Sequence, residues 1–382
     1  MQIEDEKYHE QFMRRALHLA EKAKGFTAPN PMVGAVIVKN GQIVGEGYHR
    51  RAGENHAEVN ALHRAGTHAQ GATIYVTLEP CSHYGKTPPC ADALIRAGIK
   101  EVYIAVADPN PKVNGGGIQK LEQAGIKVHI GLCGKEAFYL NEVFFTNHTE
   151  KRAFVALKSA QSIDGKIGPD NGAPIRITSE LSRKYGHMLR REYGAVLVGI
   201  NTILNDDPVL NIRYDIPHDS NRPIRIIVDS EMRIPLNAKV LDLNDGPILI
   251  YTAAELSRSL RGKIESKGVE VVALPDGYGR VDLKQLPYDL YQRGICGVLI
   301  EGGSQILSSF FSAENWDRYY AFTAPKLIGK QGIPLFAHTP QTVLDNIIRD
   351  KAQMIDEDIL VEYLRKDGFD RCLPELLKKR ES

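Results

Sequence analysis

The fold of the N-terminal half is indicated most specifically by residues 79–90, Glu-Pro-Cys-Ser-His-Tyr-Gly-Lys-Thr-Pro-Pro-Cys. It contains Cys81 and Cys90, each directly preceded by a proline, and His56-Ala57-Glu58 lies upstream. His-x-Glu followed by Pro-Cys-x-x-Cys is the signature of zinc deaminases. The two cysteines here are nine residues apart rather than three, so the match departs from the short form of that signature.

One imidazole and two thiolates suit a catalytic zinc site, because three protein ligands leave the fourth position open for water. Zinc lowers the pKa of such a water toward about 7. Glu58 is not needed as a ligand and can carry a proton from the water to a ring nitrogen and then to leaving ammonia. We interpret His56, Cys81 and Cys90 as the metal ligands and Glu58 as the catalytic proton shuttle.

Simpler interpretations exist for each of these residues. A histidine at a helix start is usually a cap or a surface residue, and buried free cysteines usually only pack. A structural zinc site is a further alternative, but such sites normally have four protein ligands. His56 and Cys90 each open a predicted helix, and a helix N-terminus favours a thiolate. The joint occurrence of these features favours a catalytic metal site.

The segments around this signature alternate between strand and helix patterns, which predicts an α/β layer structure. Asn40-Gly41, between two apolar runs, is a strong hairpin signal. Strands are predicted at residues 33–38, 43–48, 73–78, 101–107 and 127–130, and helices at 6–24, 56–65, 90–97 and 116–124.

The pattern breaks around residues 146–150, and a second α/β set follows. We expect a deaminase domain at residues 1–147, a second domain at 148–366 and a C-terminal tail at 367–382. The second domain has predicted strands at 154–160, 195–199, 224–229, 248–252, 269–273, 298–301, 319–328 and 359–363, with helices at 179–192 and 305–313.

Composition limits the classes of partner. The 382 residues include 48 Lys plus Arg against 47 Asp plus Glu, a formal charge of +1, which gives no electrostatic reason to bind nucleic acid or a membrane. No stretch approaches the roughly 20 apolar residues of a membrane helix. The polar N-terminus and the five scattered cysteines predict a cytoplasmic protein with free or metal-bound thiols.

The chain resembles the bacterial bifunctional riboflavin biosynthesis family, RibD, over residues 8–364, and a nine-residue cysteine step belongs to that family. The matching segments include Pro29-Asn30-Pro31-Met32-Val33-Gly34, Gly47-Tyr48-His49, residues 79–90, Asp108-Pro109-Asn110-Pro111, Asn205-Asp206-Asp207-Pro208, Glu301-Gly302-Gly303 and Pro325-Lys326-Leu327-Ile328-Gly329. The resemblance implies an α/β protein with a cytidine-deaminase-like three-layer domain and a C-terminal dihydrofolate-reductase-like domain.

For the first domain the resemblance implies one zinc ion per chain and a pyrimidine ribose phosphate as substrate. The implied substrate-binding residues are Asn30, His49, Lys86, Asp108 and Asn110. The residues themselves leave other interpretations open: a turn between two prolines for Asn30, a solvated surface for His49 and Lys86, and a turn or helix cap for Asp108.

The second domain has no Gly-x-Gly-x-x-Gly after its first strand, so the Rossmann fingerprint is absent. Residues 298–305 instead run from an apolar strand through two glycines into a helix, which lets backbone amides approach a phosphate. By resemblance the cofactor is NADPH. The implied cofactor-binding residues are Ala160, Thr202, Asp206, Ser230, Gly303, Ser304, Gln305, Ile306, Leu307, Ser308 and Ser309.

The implied reductase substrate residues are Lys158, Arg190, Arg213 and Glu301. A guanidinium fork suits a phosphate, although Arg190 sits in a charged helix and a solvated face is the alternative. Asp206 and Lys158 are the candidate proton donors.

The resemblance implies two successive reactions and a homo-oligomer, a dimer or a tetramer. The first is hydrolytic deamination of 2,5-diamino-6-ribosylamino-4(3H)-pyrimidinone 5′-phosphate. The second is NADPH reduction of the ribosyl group of 5-amino-6-(5-phosphoribosylamino)uracil to a ribityl chain. A nucleic-acid base deaminase is the rival hypothesis, but it would need a basic channel and stacking aromatics, and the chain has one tryptophan.

Overall fold

The computed structural model describes residues 2–82, 88–110, 113, 115–170, 175–216, 222–242, 244, 246–338 and 346–366, with the backbone alone for 2–5. The chain divides into two compact units between Lys151 and Arg152. Lys86 and the expected tail at 367–382 lie outside the described residues.

The first unit is built on a five-stranded sheet with the order β2-β1-β3-β4-β5. Its strands are β1 Gly34–Lys39, β2 Gln42–Tyr48, β3 Thr73–Val76, β4 Glu101–Ile104 and β5 Lys127–Ile130. Its helices are α1 Gln2–Glu21, α2 Ala57–Ala65, α3 Cys90–Arg96, α4 Gly116–Gln123, α5 Gly134–Leu140 and α6 Glu142–Thr149.

The predicted hairpin joins β1 to β2. Asn40 and Gly41 both have positive φ, 51° and 77°, as a two-residue turn matched to the twist of the strands requires. Strands β3, β4 and β5 run parallel, and β1 is antiparallel to β3. This part of the sequence prediction is confirmed.

Two buried clusters make the first unit a three-layer structure. On one face of the sheet, α1, α5 and α6 pack through residues such as Met13 and Phe145. On the other face, α2, α3 and α4 pack through residues such as Ala61, Leu94 and Leu121. Consecutive β1 residues divide between the two clusters, as the alternation of side chains along a strand requires.

The sequence prediction missed α5 and α6. Residues 146–149, where the pattern seemed to break, form the last turn of α6. The helix persists there because Phe144 and Phe145 are buried and the Thr149 hydroxyl donates to the Phe145 carbonyl at 2.9 Å. The last turn of α6 is polar in sequence, so it gave no apolar pattern from which a buried helix could be predicted.

The second unit has a nine-stranded sheet with the order β11-β10-β9-β8-β12-β6-β13-β16-β15 and a two-stranded sheet of β7 and β14. Its strands are β6 Phe154–Ser162, β7 Lys166–Pro169, β8 Ala195–Gly199, β9 Ile224–Val228, β10 Ile248–Thr252, β11 Glu270–Ala273, β12 Gly297–Ile300, β13 Arg318–Ala324, β14 Gly332–Pro334, β15 Ile347–Ile355 and β16 Asp358–Arg365. Its helices are α7 Glu180–Tyr193, α8 Ile200–Asp206, α9 Arg258–Glu265, α10 Leu286–Gln292 and α11 Ser304–Ser312.

Seven strands of this sheet, β11 to β13 in the order above, run parallel, and β16 and β15 add an antiparallel edge. Buried clusters cover both faces, which explains the continuous apolar runs of the central strands. The predicted strands at 154–160, 195–199 and 298–301 lie at its centre. Strand β15 was missed because most of its residues are exposed, so it has no apolar alternation.

Ligands of open parallel sheets bind beyond the carboxyl ends of the strands, where the strand order reverses. In this unit the chain proceeds outward from β8 to β11 and then returns to β12, between β8 and β6. The segments that follow β8, β9 and β12 contain most of the residues expected to bind the cofactor.

Candidate active sites

His56, Cys81 and Cys90 converge in the first unit. Their ligand atoms all lie within 4.8 Å of one another, with His56 Nδ1 3.2 Å from Cys90 Sγ and 3.7 Å from Cys81 Sγ. His56 immediately precedes α2, Cys90 is the first residue of α3, and Cys81 lies in the loop after β3. Three distant segments thus form one donor cluster.

The donor set fits a zinc ion. Bonds of about 2.0–2.3 Å in a tetrahedral arrangement place ligand atoms roughly 3.5–3.8 Å apart, close to the observed nitrogen–sulfur separations. The Cys90 backbone N–H donates to Cys81 Sγ at 3.3 Å. Hydrogen bonds from Cys90 and His56 lower the pKa of the Cys81 thiol, which favours the thiolate that binds a metal. Within the described residues no fourth His, Cys, Asp or Glu belongs to the cluster.

Glu58 lies beside this cluster, in the first turn of α2, and is 3% exposed. Burial raises its pKa to about 7, and the nearby Cys81 sulfur adds to the increase. A carboxyl group with a pKa near neutrality can both accept and release a proton at physiological pH. Its position therefore suits the proton transfer that the sequence assigned to it.

His49 and Asn30 form a pair next to the cluster. The His49 ring is 3% exposed and lies edge-on to His56 with centroids 5.4 Å apart. Nδ1 of His49 lies 3.2 Å from the Asn55 carbonyl, and Nε2 lies 3.1 Å from Asn30 Nδ2. The histidine is therefore neutral, donating through Nδ1 and accepting from Asn30. A solvated surface position for His49, the alternative interpretation, is wrong because burial encloses the ring.

Asp108 follows β4 and is 8% exposed, and its Oδ1 accepts the Asn110 N–H at 2.8 Å. The turn interpretation of Asp108 thus describes a real hydrogen bond, which does not exclude substrate contact. Burial, with smaller contributions from the charges of Glu79 and Cys81, raises the pKa of Asp108 to about 7, while the Asn110 N–H opposes the increase. Asp108 therefore belongs to the same electrostatic neighbourhood as the metal cluster.

Glu79 is a residue whose role sequence reasoning missed. Its carboxylate is 3% exposed and accepts backbone N–H groups from Asp108, Gly115, Gly117 and Ile118 at 3.1–3.3 Å. It connects the cysteine loop to the loop after β4 and to the start of α4. The available signal was its position directly before Pro80 and Cys81.

In the second unit, Lys158, Arg190 and Glu301 form one largely buried charge cluster. Arg190 Nε and Nη2 donate to the two oxygens of Glu301 at 2.6 and 2.9 Å, and Arg190 Nη1 donates to the Asn211 carbonyl at 2.6 Å. Burial lowers the pKa of Lys158, while the charge of Glu301 opposes this. Arg190 is 9% exposed, so the solvated-face interpretation is wrong.

The guanidinium group of Arg190 therefore already donates to Glu301 and to the Asn211 carbonyl. Arg213, by contrast, is exposed, and its side chain makes no hydrogen bond or ion pair within the described part of the chain. Its backbone N–H donates to His187 Nδ1 at 3.2 Å. Of the two arginines expected to bind phosphate, Arg213 is the one with a free charged group.

The turn between β12 and α11 has features that suit the expected phosphate site. A Cβ on Gly302 would lie 1.5 Å from Ile306 Cγ2, whereas one on Gly303 would meet nothing nearer than Thr202 Oγ1 at 3.9 Å. The buried Ser304 hydroxyl has no hydrogen-bond partner among the described residues. An open glycine, an unpaired hydroxyl and the first N–H groups of α11 suit a dinucleotide phosphate.

The other expected cofactor residues differ in environment. Leu307 lies in the core, and the Ser308 hydroxyl accepts the Ala337 N–H at 2.9 Å, so both side chains are structural. The Ser230 hydroxyl accepts the Val281 N–H at 3.1 Å. The remaining members divide into buried Ile306, half-buried Ala160, Thr202 and Ser309, and exposed Gln305 and Asp206.

Known families match both units. Residues 6–106 match the cytidine and deoxycytidylate deaminase zinc-binding region, and residues 153–361 match the RibD C-terminal domain. The riboflavin biosynthesis protein RibD of Aquifex aeolicus (strain VF5) is 45% identical over 356 residues, 93% of this chain and 98% of that protein. RibD of Escherichia coli (strain K12) is 39% identical over 87% of this chain and 94% of that protein.

Two solved structures are similar to this chain over most of its length. Acinetobacter baumannii RibD, form 1, has a TM-score of 0.83 at 36% identity, covering 94% of this chain and 99% of that one. A diaminohydroxyphosphoribosylaminopyrimidine deaminase/5-amino-6-(5-phosphoribosylamino)uracil reductase from Thermotoga maritima has a TM-score of 0.81 at 37% identity, with the same coverage.

A zinc-type deaminase fold followed by a parallel-sheet reductase fold defines a bifunctional deaminase–reductase. The chain belongs to the RibD family of riboflavin biosynthesis enzymes. The expected cytidine-deaminase-like and dihydrofolate-reductase-like folds are confirmed, and zinc and NADPH are the cofactors. No helix among the described residues has the length and apolar character needed to cross a membrane.

Proposed function

We propose that His56, Cys81 and Cys90 hold the zinc ion of the deaminase reaction and that Glu58 transfers the protons. Zinc at this position supplies Lewis-acid activation of a water molecule. The carboxylate of Glu58 accepts a proton from that water and delivers it to the pyrimidine ring and the departing amine. The observation that carries this proposal is the buried Glu58 beside the convergent imidazole and thiols.

Asn30, His49, Asp108 and Asn110 are proposed to orient the pyrimidine ribose phosphate, with Lys86 contributing from outside the described residues. Asn30 is hydrogen-bonded to His49, whose ring lies edge-on to the proposed zinc ligand His56. The amide keeps its carbonyl oxygen for a ring N–H, because its N–H is used by the histidine. This arrangement supports recognition of the heterocycle at the metal.

When bound in the second unit, NADPH would supply the hydride that reduces the ribosyl group of the deaminated intermediate. We propose that residues 303–305 with Thr202 hold the cofactor phosphates and that Ala160, Asp206, Ser230, Ile306 and Ser309 line its site, with Leu307 and Ser308 contributing through their backbone alone. Lys158 and Glu301 bind the ribose chain, while Arg213 takes the phosphate. Arg190 contributes by holding Glu301 in place rather than by its own fork. Lys158 and Asp206 are both proposed as proton donors, since burial lowers the pKa of Lys158 and raises the pKa of Asp206.

The finer assignments follow from the same expectations. We propose a cytoplasmic homo-oligomer, a dimer or a tetramer, with a deaminase domain near residues 1–147 and a reductase domain near 148–366. Gel filtration with light scattering measures the assembly directly.

Glu58→Gln tests whether deamination and reduction take place at separate sites. The amide keeps the size of the side chain but cannot accept the proton, so ammonia release falls by at least about 100-fold. NADPH oxidation with the deaminated intermediate and the zinc content stay unchanged. Lys184→Gln, on the exposed face of α7, serves as a matched control. If both activities fall together in a folded protein, the two-site assignment is wrong.

A further inference from the structure

One face of α7 holds the segment that carries Arg213. Arg183 Nε donates to the Tyr214 hydroxyl at 3.2 Å, and Arg190 Nη1 donates to the Asn211 carbonyl at 2.6 Å. His187 lies between these arginines at helical spacing, and its Nδ1 accepts the Arg213 N–H at 3.2 Å. Residues 211–214 are thus bound to the helix at successive points.

This segment needs such support, because its backbone is unfavourable by itself. Leu210, Tyr214 and Asp215 have φ values of 58°, 68° and 51°, in the left-handed region that side chains other than glycine rarely adopt. Residues in this region persist only where surrounding contacts hold them. Without these contacts, the chain around Arg213 would relax to other conformations.

His187 supplies two contacts to this segment. It is 5% exposed, accepts the Arg213 N–H at Nδ1, and lies edge-on to Tyr214 with centroids 5.1 Å apart. Burial and the positive charges of Arg190 and Arg213 lower its pKa to about 4, while Glu301 opposes this. The ring is therefore neutral at physiological pH, which keeps Nδ1 as an acceptor.

We infer that His187 is a positioning residue of the reductase site: by accepting the Arg213 N–H it fixes the backbone from which the Arg213 guanidinium reaches the phosphate of the substrate. This inference rests on the proposed function, because it takes Arg213 as the phosphate-binding group. His187 itself does not touch the reacting atoms.

Asn and Leu provide a matched pair of substitutions, since they have similar shapes and only Asn places an acceptor at the position of Nδ1. In the full-length enzyme, His187→Leu raises the reductase KM for the phosphorylated intermediate about tenfold. The kcat and the KM for NADPH stay within about twofold, since neither depends on Arg213. His187→Asn keeps the KM for the phosphorylated intermediate near the wild-type value. With a substrate that lacks the phosphate, the KM values of the variants and the wild type do not differ.

A double variant distinguishes positioning from general support. If His187 acts through Arg213, His187→Leu combined with Arg213→Gln is no worse than Arg213→Gln alone, within about twofold. The inference would be overturned if the KM increases of His187→Leu and Arg213→Gln multiplied in the double variant. An unchanged KM in His187→Leu, or equal KM increases in His187→Asn and His187→Leu, would also overturn it. Should the Leu variant not fold, His187→Gln replaces it, because its amide sits one bond further out.

Failure of the proposed function has a different signature. If the wild-type chain does not reduce the deaminated intermediate with NADPH, the reductase assignment fails before any variant is considered. If the wild type is active and His187→Leu matches it, only the role of His187 is lost. Ammonia release by the same samples should remain constant throughout.

Discussion

The Glu79 carboxylate shows how one side chain can organise a site without touching substrate. A buried carboxylate is costly unless its oxygens are hydrogen-bonded, and here backbone N–H groups from two segments, including those of Asp108 and Gly117, satisfy it. Gly117 is required for this approach, since a Cβ there would lie 1.9 Å from the Pro80 carbonyl oxygen. The cysteine loop and the loop after β4 are thus held at a defined separation.

Glu79→Gln should therefore impair deamination specifically. The amide replaces one acceptor oxygen by a donor that faces other donors, which costs about 2–3 kcal/mol. We expect ammonia release to fall about tenfold or more while NADPH oxidation is unaffected. Glu136→Gln, an exposed residue paired with Arg14 at 3.0 Å, is the control. Normal ammonia release by the Glu79 variant would contradict this role.

At the scale of elements, the β12–α11 junction determines how the reductase sheet meets its helix. Gly302 is required by packing, because the Ile306 side chain occupies the space of a Cβ. Gly303 is under no such constraint. Asn201 Nδ2 donates to Gln305 Oε1 at 3.0 Å, which joins α8 to α11 across the opening. The two neighbouring glycines therefore differ: packing requires Gly302, whereas Gly303 has open space beside it, where we propose that the cofactor binds.

Alanine substitutions separate these purposes. Gly302→Ala should destabilise the reductase unit by about 1–3 kcal/mol, as an overpacked core does, and this shift is measured by urea unfolding. Gly303→Ala should fold normally and raise the KM for NADPH, because its methyl group fills the space in front of the helix N-terminus. An unchanged KM for NADPH in the Gly303 variant would count against the cradle. Equal unfolding of both variants would refute the packing distinction.

At the scale of the whole molecule, each unit has its own sheet and its own buried clusters. The reductase unit begins with Arg152, whose guanidinium pairs with both oxygens of Asp317, one at 2.7 Å. Asp317 Oδ2 also accepts the Val155 N–H at 2.8 Å. The pair is buried, with side chains 3% and 8% exposed, so it secures the first strand of that unit.

Asp317→Asn should lower the stability of the second unit alone, because an unpaired buried guanidinium costs about 3–5 kcal/mol. Heating one sample and assaying both reactions measures this, with NADPH oxidation lost at a lower temperature and ammonia release unchanged. Arg261→Gln breaks an exposed pair with Glu265 and should cost less than about 1 kcal/mol. Parallel loss of both activities would show that the units do not unfold separately.

Elements with a strong local pattern were predicted well. The hairpin at Asn40-Gly41, the strand at 127–130 and the helix at 179–192 have signals contained in a few neighbouring residues. Helices α5 and α6 were missed because the surfaces that bury them are remote in sequence. Strand β15 was missed because it is mostly exposed and is held by pairing with β16. The cluster of His56, Cys81 and Cys90 was predictable because zinc chemistry restricts residue types, whereas the ion pair of Arg190 with Glu301 was not predicted.

The sequence by itself determined the α/β class, the donor set of His56, Cys81 and Cys90, and the family. These depend on residue types and short spacings, which a linear chain displays directly. Only the tertiary structure decided that Arg190 pairs with Glu301, 111 residues away, and that His187 meets the backbone of Arg213. The physical reason is that a buried charged or polar group, having lost its water, pairs with a group that packing brings near. Packing is a property of the folded chain.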